Sequence, residues 1–470
     1  MTGLLLRQVQ VRDGRVLDVR STGEVIVEVG VGLPVAAERI VEGGYLLPGL
    51  HDHHLHLLAT AAAAEGLRCG PPDVQGVDDL VGVLRRAAAN RPPGEWLRGI
   101  GYHESVAGMV SRDVLDTWVP DRPVRIQHRS GALWMVNSAG LSALRVEEGT
   151  VPDGVERDAQ GRATGRLWRV DQWLRQRVGR RSSPDLAGLG RRLAAYGMTG
   201  VTDATPDLDD GALRLLLDAV ATGALPQRLH LLGIDRLPED VPAAVRARVT
   251  VGPRKLVLPD HDLPALPELI ARLRDIRATR VRGRPVAVHC VTRDALVLLC
   301  TALEEVGSVP GDRIEHASVV PAGLLPTLRR LGVTVVTQPG LVAARGDDYL
   351  REVDPDDLRG LYRHASLLRG GVPVGLSTDA PYTEPDPWRA VEAAVERLTP
   401  SGRTLGPSER VSRQRAIDGF TTLAAAPGGE PRRIAAGHPA DLCLLDGRST
   451  DPRPAITLTV VGGEVIHDRR

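Results

Sequence analysis

The sequence predicts an α/β protein: a TIM-type (β/α)8 barrel, a small β-sandwich domain formed by both termini, and an insertion after the first barrel strand. Three observations lead there. Both ends of the chain read as short alternating strands. The middle alternates short apolar runs with amphipathic stretches, the pattern of parallel βαβ units. One interval, 60–195, is too long to be a single crossover helix.

At the N-terminus, LLLRQVQV, RVLDV and EVIVEVGV alternate apolar and polar residues between Asp-Gly and Thr-Gly turns. ADLCLLDG, AITLTVV and GEVIHD repeat the pattern near the C-terminus. Residues 1–47 and 436–470 are therefore assigned to the sandwich, and 48–435 to the barrel. Candidate barrel strands lie at 45–57, 200–204, 229–234, 255–258, 286–290, 313–317, 333–338 and 372–379. Helical stretches such as LPALPELIARLRDIR and PAGLLPTLRRLG separate most of them, and eight such units make a barrel. The interval 60–195 has a strand of its own at PVRIQH. It is expected over the barrel mouth, because the loop after the first strand leaves from that face.

Composition narrows the function. A chain of 470 residues, 42% hydrophobic, can build a large core and a satellite domain. Basic and acidic residues balance at 59 each, with no basic block or acidic tail, which argues against nucleic-acid and membrane partners. The first twenty or so residues carry no signal pattern, and no apolar run reaches membrane-spanning length. The expectation is a cytoplasmic protein acting on a small molecule; a homo-oligomer is compatible with this. Cys69, Cys290, Cys300 and Cys443 lack CxxC spacing and read as reduced, buried thiols.

Of the basic residues only Lys255 is lysine; every other one is arginine. A GC-rich codon bias explains the missing lysines but not the one that remains. A site needing a primary amine would resist replacement, because a guanidinium cannot do amine chemistry. A structural salt-bridge lysine is the alternative.

The strongest local signal is PGLHDHHLHL, with His51, His53, His54 and His56 among the thirteen histidines of the chain. Residues i and i+2 share a face of a strand, so His54 and His56 can aim at one point while Leu55 faces the helices. His51 and His53 fall on the other parity. Two converging imidazoles suit a borderline cation such as Zn2+; a histidine cluster on a loop is the alternative. Further along, His289 ends VAVHC, His316 ends RIEHA and Asp379 ends GLSTDA. All would lie at C-terminal strand ends, where barrel enzymes place their chemistry, and their spacing with Lys255 matches successive βα units. Cys290 points away by alternation and reads as core.

This pattern resembles the amidohydrolase superfamily: HxH on the first strand, lysine on the fourth, histidines on the fifth and sixth, aspartate on the eighth. WLRGIGYHES, PDRPVRIQHRSGALWMVNSAGL, RDAQGRATGRL, GDRIEHASVVP, VTQPG and IAAGHPADLCLLD extend the resemblance over nearly the whole chain. They look most similar to amidohydrolase family 3, the branch with N-substituted formamide deformylases. The resemblance implies two divalent metal ions, most readily Zn2+, held by His54, His56, Lys255, His289, His316 and Asp379. It also implies that Lys255 is carboxylated by CO2 and bridges the ions. The metals would then activate a water, Asp379 would take its proton and pass it to the leaving nitrogen, and a C–N bond of an amide, formamide or related acyl-nitrogen substrate would be hydrolysed. Lys255 and Asp379 are thus the expected catalytic residues.

The chain departs from the family where Gly131-Ala132 replaces a Gly-His pair, with His128 four residues earlier. Trp168-Arg169 stands where a glutamate is common, and Thr292-Arg293-Asp294 replaces Gly-Asp-Arg. These positions bear on substrate handling. In the insertion, His103, Glu104 and His128 are the candidate substrate contacts; a solvated loop surface is the alternative. Hydrolysis of another carbonyl or phosphoryl ester, or an inactive barrel scaffold, are the competing functions.

Overall fold

The computed structural model describes residues 3–71, 73–148, 150–178, 184–279, 283–448, 451 and 453–470. The chain forms two compact units, Met1–Thr60 with Asp185–Arg470, and Ala61–Pro184.

Eight parallel strands organise the first unit: β1 (Leu50–Leu55), β2 (Met198–Asp203), β3 (Arg228–Leu231), β4 (Arg254–Val257), β5 (Val286–Cys290), β6 (Arg313–His316), β7 (Thr334–Thr337) and β8 (Val374–Leu376). They lie in two sheets. One runs β1-β2-β3, with a short strand, Val249–Val251, at its edge; the other runs β4 to β8 in chain order. Backbone hydrogen bonds link the sheets beyond their ladders. The Lys255 amide donates to the Leu232 carbonyl (3.0 Å). On the other side, Asp379 donates to His54 (2.8 Å) and His56 to Ala380 (2.9 Å).

Burial in these strands does not follow apolarity alone, since LHDHHL, MTGVTD and RIEH carry many polar residues. β1, β2, β6 and β8 are buried at every position, as strands covered on both faces must be. The helices between them are delimited by their caps. Asp209 accepts from the Ala212 amide before Asp210–Ala221, and Thr292 from that of Ala295 before Arg293–Val306. Gly332, at φ 66°, closes Leu325–Leu331.

The expected strand 45–57 divides at Gly49. Tyr45–Pro48 pairs antiparallel with Leu442–Asp446, while β1 joins the parallel strands. A Cβ on Gly49 would lie 2.1 Å from the Thr199 side chain, so only glycine lets the two segments pass so closely. The terminal segments make one eight-stranded sheet. It holds Leu4–Gln10, Val16–Thr22, Val25–Gly30, Arg39–Glu42 and Tyr45–Pro48 from the start of the chain and Leu442–Asp446, Ala455–Val461 and Glu464–Asp468 from its end. Leu6, Ile26, Leu46, Leu444 and Leu458 are buried together there.

The second unit is built on a six-stranded sheet whose faces carry different cores. Leu133 and Met135 pack with Leu97, Val124 and Ile126. The alternate residues Trp134 and Val136 pack with Leu141, Ala163 and Leu167. Among the described residues, no helix is long and apolar enough to cross a membrane.

Candidate metal centre

The ends of β1, β5 and β6 and the segment after β8 carry His54, His56, His289, His316 and Asp379, while Lys255, the second residue of β4, lies within electrostatic reach of Asp379 and Glu315. His54, His56 and Asp379 can each place one ligand atom within 4.8 Å of the others. Asp379 Oδ1 lies 3.5 Å from His54 Nε2 and 3.4 Å from His56 Nε2, and its other oxygen is 3.7 Å from His316 Nδ1. The His316 ring centroid is 4.8 Å from that of His54 and 4.6 Å from that of His289. Lys255 is buried on β4, in register with Ala287, two residues before His289 on β5. Among the described residues, His54 Nε2, Asp379 Oδ1 and Lys255 Nζ are buried without a hydrogen-bond partner. Buried polar atoms are normally satisfied, so three orphans in one cluster of ligating groups require an explanation.

Residues that the sequence reading missed hold these ligands. His54 Nδ1 pairs with the fully buried Glu315, which also accepts from the Arg313 guanidinium. His56 Nδ1 lies 3.2 Å from Thr205 Oγ1, and His316 Nδ1 lies 2.9 Å from Gln338 Oε1. Engaging one ring nitrogen orients the imidazole and fixes its tautomer, leaving the other for a ligand. Asp52 accepts from the amides of His54 (3.0 Å) and Thr378 (3.2 Å), tying β1 to the segment after β8.

Alternation hid Glu315. On a regular strand Glu315 and His316 would face opposite ways, yet both reach the site. His316 (φ 68°) and Ala317 (φ 44°) are left-handed, so the pleat breaks where β6 ends. Asp379 is also left-handed, at φ 54°. Non-glycine residues in that region are strained, and such strain concentrates at functional sites.

The electrostatics favour neutral imidazoles around an anionic carboxylate. Burial drives His54 down to about 3, and the nearby Lys255 charge acts in the same direction. Burial likewise lowers His289, with His316 and Lys255 adding to it. Burial would raise Asp379, but the neighbouring imidazoles of His54, His56 and His316 hold it well below the ordinary carboxylate range. Burial brings the Lys255 amine down to about 8 against the opposing fields of Glu315 and Asp379.

The remaining expectations fall elsewhere. His51 Nε2 is 2.8 Å from Thr202 Oγ1 and His53 Nε2 is 2.9 Å from Thr422 Oγ1, so both are engaged in the buried interior of the fold. The four cysteines are buried and free, and Cys290 makes only a weak contact to the Ala295 carbonyl at 3.8 Å. In the second unit, Glu104 Oε2 lies 2.8 Å from His128 Nε2 and 3.4 Å from His103 Nε2, and the two rings stack at 6.0 Å. His103 also N-caps Glu104–Ala107 through the Ser105 amide. Tyr382, beyond Asp379, sets its ring edge-to-face against His56 at 5.9 Å; no sequence pattern singled it out.

Imidazoles, a carboxylate and a buried amine gathered on parallel strands are groups that could hold a divalent cation. The profile of the Amidohydrolase family matches residues 41–467, and the chain belongs to that family of hydrolytic enzymes. It is 28% identical to an N-substituted formamide deformylase of Arthrobacter pascens, over 94% of this chain and 90% of that protein. An uncharacterized metal-dependent hydrolase from Pyrococcus horikoshii OT3 superposes with TM-score 0.74 at 20% identity, covering 99% of this chain and 100% of that one. A point mutant of atrazine chlorohydrolase TrzN from Arthrobacter aurescens TC1, complexed with zinc and atraton, superposes with TM-score 0.54 at 17% identity, covering 99% and 95%. At such identities the two structures share the fold.

Proposed function

We propose that the protein hydrolyses a C–N bond in an amide, formamide or related acyl-nitrogen compound at a centre of two divalent cations. His54, His56, Lys255, His289, His316 and Asp379 would hold the cations. The observation that carries this reading is the group of orphaned buried atoms, His54 Nε2, Asp379 Oδ1 and Lys255 Nζ. The two acceptors lie 3.5 Å apart and neither makes a hydrogen bond among the described residues, a ligand set that suits a cation. Zn2+ fits the imidazole and carboxylate ligands, and the zinc complex of the TrzN mutant supports that choice. The 28% identity to a formamide deformylase supports the acyl-nitrogen class. When bound, the cations lower the pKa of a water and polarise the substrate carbonyl.

The chain's own residues do the rest. Asp379 stays ionised, accepts a proton from water at its carboxylate and passes it to the leaving nitrogen. Glu315 and Thr205 keep the Nδ1 sides of His54 and His56 occupied, so each ring turns Nε2 to the centre. With its pKa near 8, Lys255 has about one amine in ten neutral at pH 7. The neutral amine adds CO2 and loses a proton, which converts a cation into an anionic oxygen ligand. His103, Glu104 and His128 supply polar contacts to the substrate; the hydrogen bond between Glu104 and His128 and the proximity of Glu104 to His103 support a preorganised group.

We read the eight parallel strands as a closed (β/α)8 barrel, supported by the hydrogen bonds that link β8 to β1 and Lys255 to Leu232. The terminal sheet we read as the sandwich, bent at the bulge between Leu6 and Val9.

The test is a substrate panel with purified protein reconstituted with Zn2+ or Mn2+. N-substituted formamides and simple amides should turn over in preference to carboxylic and phosphoryl esters. Preferential turnover of esters would overturn the bond assignment. Alanine at His103, Glu104 or His128 should raise KM or lower kcat/KM with metal content unchanged.

A further inference from the structure

In the second unit, Arg98 and Arg125 lie opposite one another on adjacent parallel strands, Leu97–Tyr102 and Val124–His128. Both guanidiniums turn towards tryptophans. The Arg125 Cζ is 5.2 Å from the Trp134 ring centroid and 5.8 Å from that of Trp96, and the Arg98 Cζ is 5.9 Å from Trp134. Like charges paired across strands repel. Burial, with Arg98 adding to it, pushes Arg125 down to about 10.

The use of its N–H groups distinguishes Arg125 from the most deeply buried arginines. Those commit theirs to protein acceptors. Arg397 donates to the carbonyls of Leu405, Tyr362 and Leu361, Arg313 to Glu315 and the His53 carbonyl, and Arg284 to Asp235 and the Ile234 carbonyl. Arg98 donates to the Ala62 carbonyl. Arg125 makes no hydrogen bond and no ion pair among the described residues, and its Nε is shielded from solvent. A guanidinium has five donors and no acceptor, so only an acceptor can complete it. The carboxylate that faces both arginines is Asp171. It takes the Trp134 indole N–H at 2.9 Å and forms an ion pair with neither arginine. Glu65, exposed, adds an attractive field at Arg98.

We propose that Arg98 and Arg125, flanked by Trp96 and Trp134, form a binding site for a small oxyanion, a carboxylate or a phosphate. Two indoles lie within about 6 Å of the Arg125 Cζ, as cation–π partners do, and a guanidinium whose N–H groups are uncommitted offers the fork that binds such oxygens in pairs. A bound anion would also relieve the repulsion between the two arginines.

The site is tested on the full-length, metal-loaded protein. Sodium acetate and sodium phosphate are titrated separately at ionic strength held constant with sodium chloride, with tryptophan fluorescence and Tm as readouts. The expected result is a saturable fluorescence change and a rise in Tm with at least one anion. Acetate alone would identify a carboxylate site, phosphate alone a tetrahedral one. Arg125→Gln should abolish the response, and Arg98→Gln should weaken it about tenfold. Arg214→Gln, at an exposed position, should leave it intact. If Arg125→Gln does not fold, Arg125→Lys, which keeps the charge but loses the fork, should also weaken binding. No saturable response to either anion would overturn the proposal. So would a response unchanged in the Arg125 and Arg98 variants, since that belongs to the metal centre.

Discussion

Acidifying the chelator-treated protein from about pH 7 to about pH 5.5 should remove stability through its buried histidines, and three that lie outside the ligand set should account for roughly 4 kcal/mol of that loss. His51, His230 and His364 are buried, at 6%, 4% and 2% exposure. Burial is the main cause of each shift. It takes His230 down to about 3, with Arg313 adding to it, and His364 to about 4, with Arg397 adding to it. His51 falls well below its ordinary value, with His53 and Arg432 adding to burial. Unfolding returns each ring to a pKa near 6.5. Between that value and the folded one, the unfolded chain binds protons that the native state refuses. Stability is therefore full above about pH 6.5 and declines as pH falls. One unit below 6.5, each ring accounts for about 1.3 kcal/mol relative to pH 7, and three give the total above. That is a large share of a net stability of about 5–15 kcal/mol. The assay is urea unfolding at both pH values, comparing midpoints at constant slope. His364→Gln should shrink the pH-dependent loss by about 1.3 kcal/mol. A midpoint flat over this range would show that these rings are protonated in the native state, and the burial argument would fail.

Three further outcomes concern the centre. Asp379→Asn should keep the fold and lose orders of magnitude in kcat, because an amide cannot accept the proton; near-normal turnover would remove Asp379 as the base. Lys255→Ala should lose activity and recover part of it with added short carboxylic acids, which replace the missing anionic oxygens; full activity without them would exclude a lysine ligand. Glu315→Gln should lower metal affinity about 10- to 100-fold, measured by competition with a chelating dye, since His54 loses its charged orienting partner. Unaltered affinity would reduce Glu315 to a counterion for Arg313.

Much of the fold was legible because the signals were local. VAVHC and TVVT are too short and too uniformly apolar for surface helices, and β5 and β7 form there. The run 45–57 could not be divided from sequence. Its break depends on Thr199, 150 residues away, crowding Gly49. The histidine pairs separate as parity predicts. His54 and His56 lie with Asp379, while His51 and His53 turn to Thr202 and Thr422.

Glu315 shows where that logic stops. Parity assigns a side chain to a face only while the backbone stays pleated, and the left-handed turn at His316 and Ala317 ends the pleat one residue early. The same turn lets two neighbouring residues, Glu315 and His316, serve one centre, one behind His54 and one beside Asp379. A buried Glu315 needs a countercharge, and Arg313, two residues back on the same face, supplies it. Arg-Ile-Glu-His therefore works as one unit: a cation, the carboxylate it neutralises, and a ligating imidazole. The backbone turn at its end brings the imidazole to the centre that the carboxylate already faces. Sequence alone exposes the imidazole, because histidine at a strand end is rare, and conceals the ion pair beneath it, because arginine and glutamate are common everywhere in this chain.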